Sequence, residues 1–573
     1  MRRLRAMSSE NPDMGEVSKA NSKANSRVVN PATSSSDIQH TPAESDQEKH
    51  DDEMDLAAEP SYITGLRLFL IMLTIFMSTL LAALEIGIVA TAIPGITDDF
   101  HQLNDVGWYG SATFLLVGAS SPMWSKMYKC LHIKWVYLSS VVFYLVGSIV
   151  AASAQNSLSV IIGRAIQGLG AAGTLGGSIL LISVVAEPRR RPVLIGSWMG
   201  VFMVSTILGP VLGGVFTSEV SWRWCFWINL PLGGPIVIMC LLFLRVPGHI
   251  KPVPATWKEI ILQLDLPGFS LLLGSLVCFA LALQWGGQTK PWSAGVVIAT
   301  LILWIVFTIM FFIVEGFQGS RAMVPLRLLR PRMTWANALW CYISNSSFYQ
   351  VMFYLPIYFQ SIHGKTAIMS GVDTLPFLAF FSLGALMSGG LVEKPHHLMP
   401  FQLTSVLIMV AGMALFYTMG VDTSQARYLG PQVLHGFGLG LGNQVPMTAV
   451  QGFSKPEDVA SSTGIMLMCQ SISGTYFVLV AQTLFANRML QTLESSNSNI
   501  DSSLALSTGA SEIQHVFTGE QLTAVTNAYM VGIKDVFAFG LAGAVAAVLL
   551  ALLIPLKKLP DPQHKKTEES GTA

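Results

Sequence analysis

GSWMGVFMVSTILGPVLGGV, residues Gly196 to Val215, decides how the rest of the chain is read. The stretch carries no charge and is long enough to cross a bilayer core at the helical rise of about 1.5 Å per residue. Ser205, Gly209 and Gly213 recur at every fourth position. They therefore share one narrow helix face on which a neighbouring backbone can approach closely. Pro210 sits in the middle of that face. Its ring removes a backbone donor and crowds the carbonyl of Thr206, which predicts a kink or a softened turn. Taken alone, a small-residue stripe is a helix-packing seam. The sharper reading is a seam between two moving bundles, and the remainder of the chain has to choose.

Composition sets the class. Of the 573 residues 51% are hydrophobic and 12% charged, with a mean hydropathy of +0.53, whereas soluble domains carry roughly 25% charge. This indicates a polytopic membrane protein and excludes a soluble multidomain enzyme. Net charge is zero, and no basic stripe interleaved with aromatic residues points to a nucleic-acid partner. Cys130, Cys225, Cys240, Cys278, Cys341 and Cys469 are isolated, without CxxC or metal-ligand spacing. The sequence has no GxxxxGK[ST] phosphate cradle, no HExxH and no GxSxG elbow. No catalytic residue, metal or cofactor is expected, and an ion gradient is left as the energy source.

Residues 1–62 are polar, with almost no aromatic residues, and read as a disordered tail. The opening MRRLR is followed by Ser8, Ser9, Glu10 and Asn11 where a signal peptide needs an apolar core. From Leu66 the pattern turns into long apolar runs. Spanners are expected near 66–93, 106–128, 134–153, 158–184, 192–217, 225–246, 266–285, 294–315, 334–360, 368–392, 400–419, 427–450, 460–486 and 535–556. Lys126, Lys129, Lys134, Arg189, Arg190, Arg191, Arg245, Lys251, Lys258, Arg321, Arg327, Arg330 and Arg332 fall in loops on one side. The other side holds little beyond Arg223, Lys290, Lys365, Arg427, Arg488 and Lys534. That bias places both termini in the cytoplasm. The long external loop 487–534 starts flexibly, and Thr518 with Gln521 suggests a capping box opening a short interfacial helix before the last spanner. Residues 559–573 read as a second disordered tail.

A charge inside a spanner costs at least about 2.5 kcal/mol and should line water or find a partner, and two residues qualify. Glu85, in LLAALEIGIVATAIP, has the character of a carboxylate that takes and releases a proton or pairs with a cation. Arg164, in IIGRAIQGLGAAGTLGG, shares a helix face with Gly168 and has Gln167 beside it. Its guanidinium can hold a carboxylate or an anionic group. Further on, Asn337, Cys341 and Asn345 share a face of the ninth spanner near Phe348. Gln432, Gly436 and Asn443 share one in the twelfth, near His435 and Gln444. A few placed polar groups in apolar surroundings suit a cavity for an amphipathic organic molecule. For any one of them, interhelical hydrogen bonding is the plainer account.

These residues resemble the major facilitator superfamily, specifically its fourteen-spanner drug:proton antiporters and their fungal toxin and multidrug branch. The family's fifth-spanner motif, G-x8-G-x3-GP-x2-GG, is matched by Gly196, Gly209, Pro210, Gly213 and Gly214, with Ser205 in place of the middle glycine. The fourth-spanner motif RxxQGxGAA is matched by Arg164, Gln167, Gly168, Gly170, Ala171 and Ala172. LALQWGG at 281–287, LPIYFQ at 355–360, SGVDTLP at 370–376 and NQVPMTAVQ at 443–451 recur in the fungal branch. Glu85 replaces the family's first-spanner aspartate, Gly87 replaces a threonine, and Ser125 stands where glycine is common.

The resemblance implies an all-α major facilitator fold with 14 transmembrane helices. It divides the chain into six-helix bundles at 63–248 and 334–558, with a linker at 249–333 carrying an extra helix pair. A cavity lined by spanners one, four, nine and twelve is implied between the bundles. The function implied is proton-coupled export of a small hydrophobic or amphipathic compound from a monomer in the plasma membrane. Glu85 and Arg164 would couple protons, and the fifth-spanner motif would form a gate. A vacuolar basic amino-acid or siderophore carrier is the alternative, and a non-transporting receptor is a more distant one.

Overall fold

The structure is a computed structural model describing residues 63, 65–100, 106–187, 190–244, 256–287, 289–319, 321–392, 398–496, 508, 510 and 513–558. The tails expected at 1–62 and 559–573, residues 497–507 of the external loop, and the loop charges Arg189, Arg245 and Lys251 lie outside these.

The described chain is almost entirely helical, as long uncharged runs dictate where no water is available to satisfy the backbone. The helices of spanning length are α1 (Gly65–Phe100), α2 (Val106–Cys130), α3 (Ile133–Ala152), α4 (Ser157–Val185), α5 (Arg191–Glu219), α6 (Asn229–Phe243), α7 (Leu266–Trp285), α8 (Gly295–Gln318), α9 (Arg332–Ser361), α10 (Ala367–Val392), α11 (Met399–Tyr417), α12 (Gln425–Asn443), α13 (Val459–Ser495) and α14 (Gly519–Leu553). The short helix Trp224–Trp227 leads directly into α6. Eleven of the spanning-length helices are long and apolar enough to cross a membrane by length and composition. The other three, α2, α9 and α12, carry more polar side chains, and all three contribute residues to the cavity described below.

Helices α1 to α6 pack on one another, as do α9 to α14. The two groups meet along α2 against α13 and α5 against α10, while α7 lies on both α2 and α13 with α8 outside it. Only 11% of the α8 apolar window is buried, so the extra pair is peripheral and presents α8 outward.

Local chemistry fixes these positions. Asn156 caps α4 by accepting from Ser159 N at 2.8 Å. Asp265 caps α7 by accepting from Gly268 N at 2.8 Å, and also receives Met323 N at 2.9 Å. Glu315 of α8 accepts from Val324 N at 2.8 Å. These carboxylates fold the segment after α8 back beneath the helix pair.

On the same side, the end of α2 is tied to the start of α13. Asp458, 2% exposed, receives both Nη atoms of Arg327 at 2.9 and 2.7 Å and Lys129 Nζ at 3.4 Å. Burial pushes the Asp458 carboxyl up, but the Arg327 guanidinium and the Lys129 ammonium outweigh it and hold it below its ordinary value. A depressed carboxylate contributes above its ordinary range and loses that contribution only as pH falls through the depressed value. Asp458→Asn should therefore loosen this side at neutral pH. Spin labels at Leu131 and Ser454 should show a broader, longer distance distribution, and an unchanged one would show that the tie holds nothing closed.

Two expectations are corrected. The twelfth spanner, read as one helix over 427–450, breaks after Asn443 and resumes as Val445–Phe453. Pro446 has no N–H for the carbonyl of Gly442, which instead receives Gln444 N. Thr518 is the N-cap of α14 but makes no side-chain capping bond, because Gly519 turns through φ +58. The stretch expected to form a separate interfacial helix is instead the first part of α14, which runs continuously from Gly519, and a single helical turn, Ile513–Val516, precedes it.

Candidate functional site: a cavity between the helix groups and a buried ion pair

Between the two helix groups lies a cavity with about 870 Å³ of empty space, its open mouth included. Phe114 of α2, Leu175 and Ile179 of α4, and Trp198, Met199, Phe202, Met203 and Thr206 of α5 form one wall. Asn345, Phe348, Tyr349, Met352 and Phe353 of α9, Phe381 of α10, Asn443 and Gln444 at the α12 break, and Leu467, Gln470 and Ser471 of α13 form the other. The lining is aromatic and thioether-rich, with four amides and, among the described residues, no carboxylate, histidine, lysine or arginine. Aromatic faces and methionines accommodate flat or irregular apolar ligands, and the amides supply direction.

The structure divides the sequence candidates. Asn345, Phe348, Asn443 and Gln444 line the cavity. Gln167, Asn337, Gln432 and His435 do not. Gln167 donates to Ser148 Oγ at 2.8 Å, and Asn337 accepts from Gln402 Nε2 at 2.8 Å. Gln432 donates to Tyr428 O at 3.2 Å. His435 is stacked on Phe377 with centroids 5.9 Å apart, and its Nδ1 lies 3.3 Å from Met409 O. Each is a packing group inside one helix group. Spanner one supplies no lining residue, while α2, α5, α10 and α13, absent from the expected set, do.

Glu85 and Arg164 find each other. Both are 3% exposed, and Arg164 Nη1 donates to Glu85 Oε1 across the α1–α4 contact. Arg164 Nε donates to Tyr109 O at 2.7 Å, and Thr113 Oγ1 donates to Arg164 O at 3.1 Å, which ties α2 to the pair. Tyr144 donates to Leu81 O at 2.9 Å beside the carboxyl. Glu85 Oε2 is buried without a hydrogen-bond partner among the described residues. A proton could be received there, and its arrival would cancel the charge that holds Arg164. Neither member of the pair lines the cavity.

The glycine stripe of α5 also divides. At Gly196 an added Cβ would stand 2.8 Å from Leu386 Cδ2 of α10, so this end meets the other helix group. At Gly209 it would stand 2.6 Å from Gly87 Cα, 2.7 Å from Leu84 O and 2.8 Å from Ile88 N, all on α1. Gly213 is buried, whereas a Cβ at Gly214 would meet nothing within 4 Å. The helix runs on through position 210, and the Pro210 side chain lies outside the described residues. Ser205, fully buried, donates to Val201 O at 2.6 Å. Its hydroxyl is satisfied within its own helix, so Ser205→Gly should keep export within about twofold. The cost is the roughly 1 kcal/mol of a helical glycine, read as a small fall in thermal stability.

The departures in sequence have structural counterparts. Ser125, in place of glycine, packs against Gly464 of α13. Gly87, in place of threonine, lies opposite Gly209.

The sequence model of the Major Facilitator Superfamily matches residues 75–478. The chain belongs to this superfamily. Among similar proteins, this facilitator is 63% identical over 554 residues to a dehydrocurvularin exporter of Alternaria cinerariae, covering 96% of this chain and 95% of that one. It is 62% identical to the efflux pump notK of Aspergillus sp. (strain MF297-2), covering 93% and 95% respectively. Among solved structures, a bacterial homologue of the human lysosomal transporter Spinster, inward-facing and unoccupied, superposes with a TM-score of 0.54 at 14% identity. That match covers 87% of this chain and all of the other, and establishes the shared fold.

Proposed function

We propose that this facilitator is a proton-coupled efflux pump that exports a small, uncharged, amphipathic secondary metabolite across the plasma membrane. The uncharged aromatic cavity between the two helix groups carries the reading. A cationic amino acid would call for acids in that lining, which tells against the vacuolar carrier. The exporters that share over 60% identity support outward transport. The proton gradient is the energy source, with no bound cofactor. Glu85 is the proton site and Arg164 its counterpart. The protein acts as a monomer of two six-helix bundles, 63–248 and 334–558, joined by the linker 249–333, with fourteen spans and both termini cytoplasmic.

In proteoliposomes carrying an inward-acidic gradient, dehydrocurvularin should accumulate inside in exchange for protons, and a protonophore should abolish the accumulation. Uptake indifferent to the protonophore would remove the coupling, and no uptake would remove this class of cargo.

A further inference from the structure

The break in α12 coincides with the cavity wall. Pro446 ends the helix, and the residue left at its last position is Asn443. Asn443 is 7% exposed, lines the cavity, and has a buried Oδ1 with no hydrogen-bond partner among the described residues. An unpaired amide oxygen facing apolar surroundings costs on the order of 1–3 kcal/mol. Such a group is paired by an ordered water, or by a bound molecule where the site admits one. Asn345, on α9 in the same wall of the cavity, donates its Nδ2 to Cys341 O at 2.8 Å. That bond leaves Asn345 with its carbonyl oxygen to offer. Both amides thus present acceptors, and no lining residue carries a charge. Discontinuous helices supply binding groups in secondary transporters because the interruption places backbone and side-chain polarity at mid-membrane.

We infer that the α12 break is a hydrogen-bonding subsite in which Asn443 Oδ1, with Asn345 in the same wall, accepts from hydroxyl groups of an uncharged aromatic substrate. This rests on the cavity being the substrate site. It adds that recognition requires donors on the ligand, so that a phenol is preferred over its methyl ether of the same shape. A carboxylate would meet the two acceptors unfavourably, and an ammonium would find no counter-charge.

The probe pair is 4-phenylphenol and 4-methoxybiphenyl, in which a methyl group replaces the donor hydrogen. Binding is measured by equilibrium dialysis against the full-length protein in nanodiscs, with empty nanodiscs subtracted. Wild type should bind the phenol roughly five- to tenfold more tightly than the ether, the ratio one neutral hydrogen bond supplies. Asn443→Leu should lose that preference and bind the two probes alike, and saturable binding of the ether reports that the protein is folded. Asn443→Asp, which keeps an acceptor, should retain a preference for the phenol. Equal binding of the two probes by wild type, or a preference that survives Asn443→Leu, overturns the subsite. Failure of the export reading is seen separately, as wild-type proteoliposomes that bind the phenol with this preference yet move no compound under an imposed pH gradient.

Discussion

Gly209→Val should reduce export at least tenfold while leaving the protein in the membrane. The reason is geometric. Even a single Cβ at this position would press on the backbone of α1 at 2.6 to 2.8 Å, against Gly87 Cα, Leu84 O and Ile88 N. Backbone atoms cannot swing aside as a side-chain tip can, so α1 and α5 would have to part. Overpacking of this kind costs about 1–3 kcal/mol, and each 1.4 kcal/mol is a factor of ten. The residues it would displace flank Glu85 on the same turn of α1, so the strain reaches the ion pair with Arg164 directly. Gly214→Val is the matched control, since a Cβ there meets nothing within 4 Å; it should stay near wild-type export. Rates are compared at equal amounts of protein in purified membranes. Full activity in Gly209→Val would reduce the motif to ordinary helix packing.

This placement sharpens what the opening stretch can tell. The every-fourth spacing correctly marks a close backbone approach, yet it cannot say against which helix. Gly196 meets α10 of the other group, and Gly209 meets α1 of its own. Gly196 lies off that spacing, on another face of α5, so the motif serves two contacts from two faces. The same limit governs the polar candidates. Asn337 and Asn345 share a face of α9, but they are separated by about 12 Å along the axis at 1.5 Å per residue. One is spent on Gln402, and the other reaches the cavity. Helical spacing identifies a face and leaves depth open. The α5 and α13 walls were invisible for a different reason. Trp198, Met199, Phe202 and Met203 are apolar in an apolar helix, and nothing in their order separates a cavity face from a lipid face. The Glu85–Arg164 pair was legible because two opposite charges in separate uncharged helices are expensive unless joined. The α12 break had its signal in Pro446, which a long apolar run masked.

The pair itself gives the other large effect. Glu85→Gln keeps the side-chain size and removes the carboxyl proposed to exchange a proton. Arg164 retains the Tyr109 carbonyl at 2.7 Å but loses its counter-charge. Arg164→Met is the harsher change, because it leaves a carboxylate that is 3% exposed with no cation beside it. Breaking a buried pair from one side typically costs 3–5 kcal/mol, whereas replacing both members by uncharged groups is often near neutral. Thermal unfolding should therefore rank the proteins with Arg164→Met lowest and the Glu85→Gln/Arg164→Met double variant closer to wild type. Coupling should follow a different order. With a pH-sensitive dye inside proteoliposomes, Glu85→Gln and the double variant should both lose substrate-driven proton movement by a hundredfold or more. Downhill movement of the compound should persist. A purely structural pair would show coupling restored wherever stability is restored. A proton site would leave the double variant stable and uncoupled, and unchanged proton flux in Glu85→Gln would remove the carboxylate from the transport cycle.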